Sequence, residues 1–253
     1  MEVKASKVQI GWSQRIPLEW LERTATLVLA GNDKNSVFAS LQQDLQNQLS
    51  IGGTAKRGNR EKTITILMKL WCVPPKQLQK FRNQGLQLLQ ALPENKHILV
   101  HWGMAMAVYP FWAGVAEQTG RLLRLQGQVA ATHVQRRIRE QYGERETVSR
   151  AARRVLRSFV DWGVLRESGR KGIYIQGEAL PVDDPGAMGW LIEGLLRANS
   201  RDSASLDTLV QSPSLFPFSF SGSVSLKSYP GLELMRFGLD EEMVMLSNGV
   251  VDP

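Results

Sequence analysis

The sequence predicts a mainly α-helical chain that ends in a small α+β segment. Three observations support this. Through the first two-thirds of the 253 residues, apolar side chains recur at three- and four-residue spacing, the pattern of helices with one buried face. Prolines and glycines mark the seams of that pattern, at Pro17, Gly31, Pro74-Pro75, Pro93, Pro110, Gly127 and Gly143. Beyond Gly163 the apolar runs shorten and alternate with turn residues, as strands do.

Taken in order, Pro17 suits a first helical turn, and Leu18, Leu21 and Leu27 follow until Gly31. Asn35 or Ser36 can cap a second helix with Val37, Phe38, Leu41 and Leu45 on one face. Ile51 to Glu61 is a Gly-, Lys- and Arg-rich loop, and a helix runs from about Lys62 through Trp71. Pro74-Pro75 breaks it and starts the next, which carries Leu78, Phe81, Leu86 and Leu89 and stops at Pro93. Ile98 to Ala116 holds no formal charge and has the length of a marginal membrane span. Pro110 at its middle, with His101, Gly103 and Tyr109, instead predicts two core helices over residues 95–126 and no membrane partner. Val129 is a short strand. Thr132 caps a helix through Val134, Ile138 and Tyr142 that Gly143 closes. A second helix opens at Thr147 and ends near Asp161-Trp162-Gly163. Val164–Ser168, Gly169–Gly172 and Ile173–Ile175 then read as strand, basic turn and strand. A helix around Met188–Ala198, a Ser/Phe/Pro-rich loop with short extended parts over Ser212–Ser223, and a hairpin of Leu232–Phe237 with Glu242–Leu246 complete the chain.

Charge locates the function. The chain carries +7 overall. Residues 121–171 hold 13 Lys/Arg against 5 acids, a net +8, so the basicity belongs to one module. Arginine outnumbers lysine there by 12 to 1, and arginine suits bidentate contacts to phosphate or guanine. On the helix after Gly143, Val148, Ala152, Val155 and Phe159 share one stripe. Arg150, Arg153, Arg154 and Arg157 fall on the opposite side at i, i+3, i+4 and i+7. Helix, tight turn, second helix, and hairpin with a basic tip is the order of a winged helix-turn-helix. Three units follow: a helical domain over 1–126, this module over 127–182, and an extension over 183–253 with a helix and the hairpin. In such a module Val134, Ile138, Val148, Val155, Phe159, Trp162 and Leu165 form the core, and the second helix enters the DNA major groove. The expected contacts are Arg150, Arg153, Arg154 and Arg157 in the groove and Arg145, Thr147 and Ser149 on phosphate at the helix start. Arg170 and Lys171 contact DNA from the wing tip, and Arg136 and Arg137 from the first helix. The expected partner is double-stranded DNA. The alternative is a scaffold or transcriptional regulator whose module binds an acidic protein or RNA. The helical N-terminal part and the C-terminal hairpin are left for partner subunits or self-association.

Other chemistry lacks its residues. Cys72 is the sole cysteine, so neither an internal disulfide nor a multi-cysteine zinc site can form. With no apolar leader at Met1–Lys7, a cytoplasmic location is expected. Gly53–Asn59 resembles a phosphate loop, but Asn59 and Arg60 stand where Lys and Ser/Thr are required. Lys56, Arg57 and Arg60 are then extra phosphate contacts on a basic loop. His97 and His101, four apart on a helix, read as a structural pair in preference to a metal site; His133 is isolated. Asp183-Asp184 before Pro185 is a turn or helix cap. Trp71, Trp102 and Trp112 read as core anchors. No nucleophile has a recognisable context, so no enzyme activity, cofactor, metal or small-molecule substrate is expected.

The helix Arg60–Trp71, the apolar helices over 98–126 and the module ending Val155-Leu156-Arg157-Ser158-Phe159-Val160-Asp161-Trp162-Gly163-Val164-Leu165 together resemble BrxA, the small DNA-binding component of bacteriophage-exclusion (BREX) defence systems. The resemblance spans about residues 15–180. It implies a non-enzymatic bacterial accessory protein that acts beside a methyltransferase and ATPases in phage defence.

Overall fold

In the first helix, α1 (Leu18–Leu29), Pro17 occupies the N-cap in extended conformation, one residue earlier than its expected place. The computed structural model describes residues 10–50, 58–199, 201–220, 226, 229–237 and 241–247; for Phe237 and Glu241 it describes the backbone alone. The second helix, α2 (Lys34–Asp44), is capped by neither Asn35 nor Ser36. Asp33 caps it, accepting the Ser36 N–H at 2.8 Å. A carboxylate at this point also meets the positive end of the helix dipole. α3 (Asn59–Trp71) starts three residues before the expected Lys62, which places Arg60 in a helical turn and not in a loop. Lys56 and Arg57 lie outside the described residues. Pro74-Pro75 separates α3 from a short 3₁₀ turn and α4 (Gln79–Ala91).

The uncharged stretch forms α5 (His97–Val108) and α6 (Pro110–Gln126), bent by 118° at the seam that Pro110 marks. Among the described residues no single helix is long and apolar enough to cross a membrane. Every residue of α5 from Ile98 to Val108 is buried. A helix apolar on all sides must be covered on all sides, and α1, α3, α4, α6 and α9 (Pro185–Ala198) surround it. The contact with α9 is closest. A Cβ on Gly194 would sit 2.8 Å from the Gly103 carbonyl oxygen, and one on Gly103 would sit 2.4 Å from Trp190 Nε1, so α9 comes this close only because both positions are glycine. Trp190 of α9 stacks on Phe81 of α4 (centroids 3.6 Å apart) and donates its indole N–H to the Val100 carbonyl at 3.2 Å.

The strands are short and lie in the second half of the chain. β1 (Gln128–Ala130), β2 (Leu165–Glu167) and β3 (Ile173–Gln176) form an antiparallel sheet in the order β1-β3-β2. Between β1 and β2 run α7 (Ala131–Tyr142) and α8 (Glu146–Asp161). α7 begins at Ala131 with Ala130 at its N-cap, so Thr132 does not cap it. β4 (Leu180–Val182) pairs in parallel with β6 (Phe218–Phe220), a short extended part of the loop expected over Ser212–Ser223. Asp184 caps α9 by accepting the Ala187 N–H at 2.7 Å. β5 (Ser203–Ser205), the short helix α10 (Leu206–Val210), β7 (Leu232–Phe237) and β8 (Glu241–Leu246) complete the fold, and β7 and β8 pair as the expected hairpin. Among the described residues, buried side chains from Trp12 to Val244 pack into one hydrophobic cluster.

His97 and His101 form a structural pair around a third group. Glu22 of α1 lies 3.1 Å from His97 Nδ1 and 3.0 Å from His101 Nε2, the latter off the line of a good hydrogen bond. Trp71 donates its indole N–H to His101 Nδ1 at 3.1 Å, which places the neutral ring's proton on Nε2, toward Glu22. Burial pushes the His101 pKa down, more than Glu22 raises it. Burial also pushes Glu22 up, but its bonds to the two histidines outweigh this and hold its carboxyl below the usual range. Both shifts stabilise the fold at neutral pH. The His101 contribution is complete above the ordinary histidine pKa of about 6.5 and is lost as pH falls below it. The Glu22 contribution is lost further down, below about pH 4.3. In urea unfolding series, stability falls between pH 7.5 and pH 5.5 by up to about 1.4 kcal/mol per pH unit for the one proton. His101→Gln flattens that slope; an unchanged slope counts against the assignment.

Candidate nucleic-acid interface

Residues 128–176 are held by local and remote contacts. Gly143 closes α7 at φ +101 and turns the chain sharply toward α8. α8 starts at Glu146, one residue before the expected Thr147, with Arg145 as its N-cap. Val148, Ala152, Val155 and Phe159 are buried as their spacing predicts, with Val134, Ile138, Trp162 and Leu165 beside them. That core is shared with the rest of the chain. Phe159 packs against Trp102 of α5 and Trp112 of α6, each with ring centroids 5.1 Å away.

A second face of α8 is taken by residues Trp12–Ile16. The Ile16 N–H donates to Ser158 Oγ at 2.8 Å, and Trp162 Nε1 donates to the Ile16 carbonyl at 2.8 Å. Arg15 makes a two-bonded pair with Asp161. Arg154 donates to the Ser13 carbonyl. This corrects one expectation: Arg154 is half-buried against its own chain and does not join the outward stripe. Burial, together with the Arg150 cation, lowers its pKa from the usual guanidinium value. Ser149 is a second correction. It is 4% exposed and faces the core, so its hydroxyl cannot reach a phosphate.

Arg150, Arg153 and Arg157 project from the outer face of α8. Arg153 makes no ion pair with any described residue. Arg150 Nε is 3.8 Å from Glu146, one helical turn back, and Arg157 is 3.3 Å from Glu167 on β2. Both pairs are exposed, and such pairs are worth about 0–1 kcal/mol. A phosphate can therefore replace either carboxylate at little cost. Thr147 is exposed in the first turn, and Arg145 is exposed while donating to the Tyr142 carbonyl at 3.2 Å. Between Gly169 (φ +84) and Gly172 (φ +75), Arg170 bends back to Gln128 Oε1 at 2.7 Å and Lys171 points to solvent. On α7, Arg136 faces Glu140 at 3.8 Å, and half-buried Arg137 reaches Gln118 of α6 at 3.5 Å. Of the expected contacts, Arg153 and Lys171 are the open cations among the described residues. Arg145, Arg150, Arg157, Arg170 and Arg136 are exposed but lightly held.

Glu146 and Glu167 belong to this surface and were not expected in it. The Glu146–Arg150 spacing was legible as an i,i+4 pair, whereas Glu167 meets Arg157 only through the strand pairing. Among the described residues no three His, Cys, Asp or Glu side chains could together hold a metal ion. No protein family, curated protein or solved structure matches this chain.

The two central arginines separate by experiment. Arg154→Ala lowers unfolding stability by about 1.5–3 kcal/mol, because it removes a charged donor from a carbonyl inside the fold. Arg153→Ala changes stability by no more than about 0.5 kcal/mol. Equal losses in denaturant titration would remove the distinction between the two faces.

Proposed function

We propose that this chain is a non-enzymatic protein that binds double-stranded DNA through a winged helix-turn-helix. The observation that carries the reading is the outer face of α8. Three guanidinium groups stand there at i, i+3 and i+7; one lacks an ionic partner among the described residues and two are held only by exposed carboxylates. A ridge of like charge repels itself; a polyanion neutralises it, and the counterions the polyanion releases drive the association. The order of elements supports the winged-helix reading. α6, β1, α7 and α8 precede the β2–β3 hairpin, and β1 adds itself to the far side of β3. In this reading α8 enters the major groove, with Arg150, Arg153 and Arg157 toward base edges and phosphates. Thr147 and Arg145 meet the backbone at the start of α8, and Arg170 and Lys171 reach it from the turn between β2 and β3. Arg136 contributes from α7. Glu146 and Glu167 hold the arginines apart until DNA displaces them.

The likeness in organisation to BrxA extends the proposal: a cytoplasmic accessory subunit of a phage-defence or DNA-processing system. A second reading has support in the same ion pairs. Carboxylates already fit Arg150 and Arg157, so an acidic protein face could occupy the ridge instead.

A salt series of duplex binding decides between them. Replacing Arg150, Arg153 and Arg157 together by Gln weakens binding and reduces the slope of log K against log salt by about 0.9 for each phosphate that is no longer neutralised. Glu167→Gln tightens binding, because it frees Arg157. Unchanged duplex affinity in the triple variant, with the fold retained, removes DNA from the proposal and leaves the protein-partner reading.

A further inference from the structure

A cleft of about 350 Å³ opens where α6, the end of α9, β5 and α10 meet the 3₁₀ turn Pro213–Leu215. That volume lies near the lower end of the range of about 300–1,000 Å³ in which small-molecule clefts fall. The floor is apolar and buried: Ala113 of α6, Leu195 and Leu196 of α9, and Leu209 of α10. The mouth is polar and exposed: Arg121 of α6, Asn199 and Arg201 at and beyond the end of α9, and Thr208 of α10. These residues converge from elements far apart in the chain, so no sequence motif announces the site.

The walls are held by contacts of their own. Gly120 of α6 lies so close to the 3₁₀ turn that a Cβ there would collide with the Pro213 carbonyl oxygen. Arg124 of α6 donates to the carbonyls of Gln211 and Ser212. The Ser212 and Ser214 hydroxyls lie 2.8 Å apart. Across the cleft, Ser205 Oγ and Thr208 Oγ1 are 2.7 Å apart at the start of α10. Ordered walls reduce the entropy lost on binding. The lining carries two guanidinium groups, Arg121 and Arg201, against the single carboxylate of Glu117. Arg121 is 2.6 Å from Glu117, one helical turn back. Such a partly exposed i,i+4 pair contributes little, so a second carboxylate can share the guanidinium. Arg201 makes no ion pair with any described residue. Asp202 and Asp207, its neighbours in sequence, do not line the cleft. A net lining charge of one positive unit suits a monoanion, whereas a dianion meets Glu117 with excess negative charge.

We propose that this cleft binds a small organic monocarboxylate, with the carboxylate held at the mouth by Arg201 and Arg121 and the apolar body resting on Leu195, Leu196 and Leu209. A guanidinium group matches a carboxylate with two parallel N–H donors. Asn199 and Thr208 offer an amide and a hydroxyl donor beside them. Burial sets the orientation, because the reverse pose would strip water from a carboxylate among leucines. The cleft shares no residue with the arginine ridge of α8, and the inference does not depend on DNA binding.

Calorimetric titration of the full chain with benzoate and with 3-methylbutanoate tests it. Each binds saturably at one site, with a dissociation constant on the order of 1 mM or below. Benzyl alcohol, which keeps the body without the charge, and acetate, which keeps the charge without the body, bind at least about tenfold more weakly. Phenyl phosphate binds no more tightly than benzoate. Arg201→Gln weakens benzoate binding by about tenfold. Thr208→Trp, which fills the mouth from an exposed position, abolishes it. Both variants keep the far-ultraviolet circular dichroism and the unfolding midpoint of the wild type. Replacing Arg150, Arg153 and Arg157 by Gln leaves benzoate binding unchanged, which separates the cleft from the ridge. Failure of both carboxylates to bind the wild-type protein overturns the proposal. So does benzoate binding that survives both cleft substitutions, or that is lost with the ridge. Tighter binding of phenyl phosphate than of benzoate overturns the assignment of a monocarboxylate.

Discussion

A helix without a polar side cannot lie at a surface, and α5 is such a helix. All eleven residues from Ile98 to Val108 are buried, so five other helices must be drawn around it. Burying a large apolar side chain contributes about 1.5–3 kcal/mol, and α5 contributes Ile98, Leu99, Val100, Trp102, Met104, Met106 and Val108 in a single element. The cost is paid at His101, the one ionisable group in that run. Trp71 donates to its Nδ1 and the Glu22 carboxylate lies 3.0 Å from its Nε2, from two different helices, so the polar exception inside the core also fixes which helices surround it. Gly103 adds the second constraint, because the approach of α9 leaves no room for a Cβ.

The candidate interface depends on this arrangement at one remove. Trp102 of α5 touches Trp112, Phe159, Trp162, Phe216 and Phe218, which joins α6, α8 and the start of β6 in one aromatic cluster. α8 is therefore held on its inner side by rings and on a second side by the peptide groups of Ser13 and Ile16. Only its outer face is free, and that face carries Arg150, Arg153 and Arg157. The rigidity that presents these arginines comes from residues distant in sequence. A guanidinium ridge on a loosely attached helix would instead give way before its own repulsion.

Local patterns are legible in the sequence where a local cause sets the structure. Pro110 divides the uncharged stretch because it has no N–H to give, and Gly143 turns the chain because it accepts a positive φ. The stripe from Val148 to Phe159 is buried as its period requires, and β7 with β8 follows from alternation about a glycine. Ser149 was also legible. It lies three residues before Ala152 and ten before Phe159, on the buried side, but the polarity of its hydroxyl argued for the surface. Arg154 was not legible. It belongs to a stripe with Ser158 and Asp161 whose partners are Ser13, Ile16 and Arg15, more than 140 residues earlier. No periodicity within a helix can signal a partner at that separation. The same holds for the parallel pairing of β4 with β6, which needs an intervening helix and has no turn signature of its own.

The contact between Gly103 and Gly194 also has a consequence for synthesis. α5 leaves the ribosome with its whole surface apolar, and α9 follows only after residue 184. At about 5–20 residues per second the wait lasts roughly 4–15 s. During that interval the most hydrophobic helix of the nascent chain lacks its closest neighbour. A chaperone that recognises short apolar segments would find its target there, and chains truncated before Pro185 would aggregate in the cell.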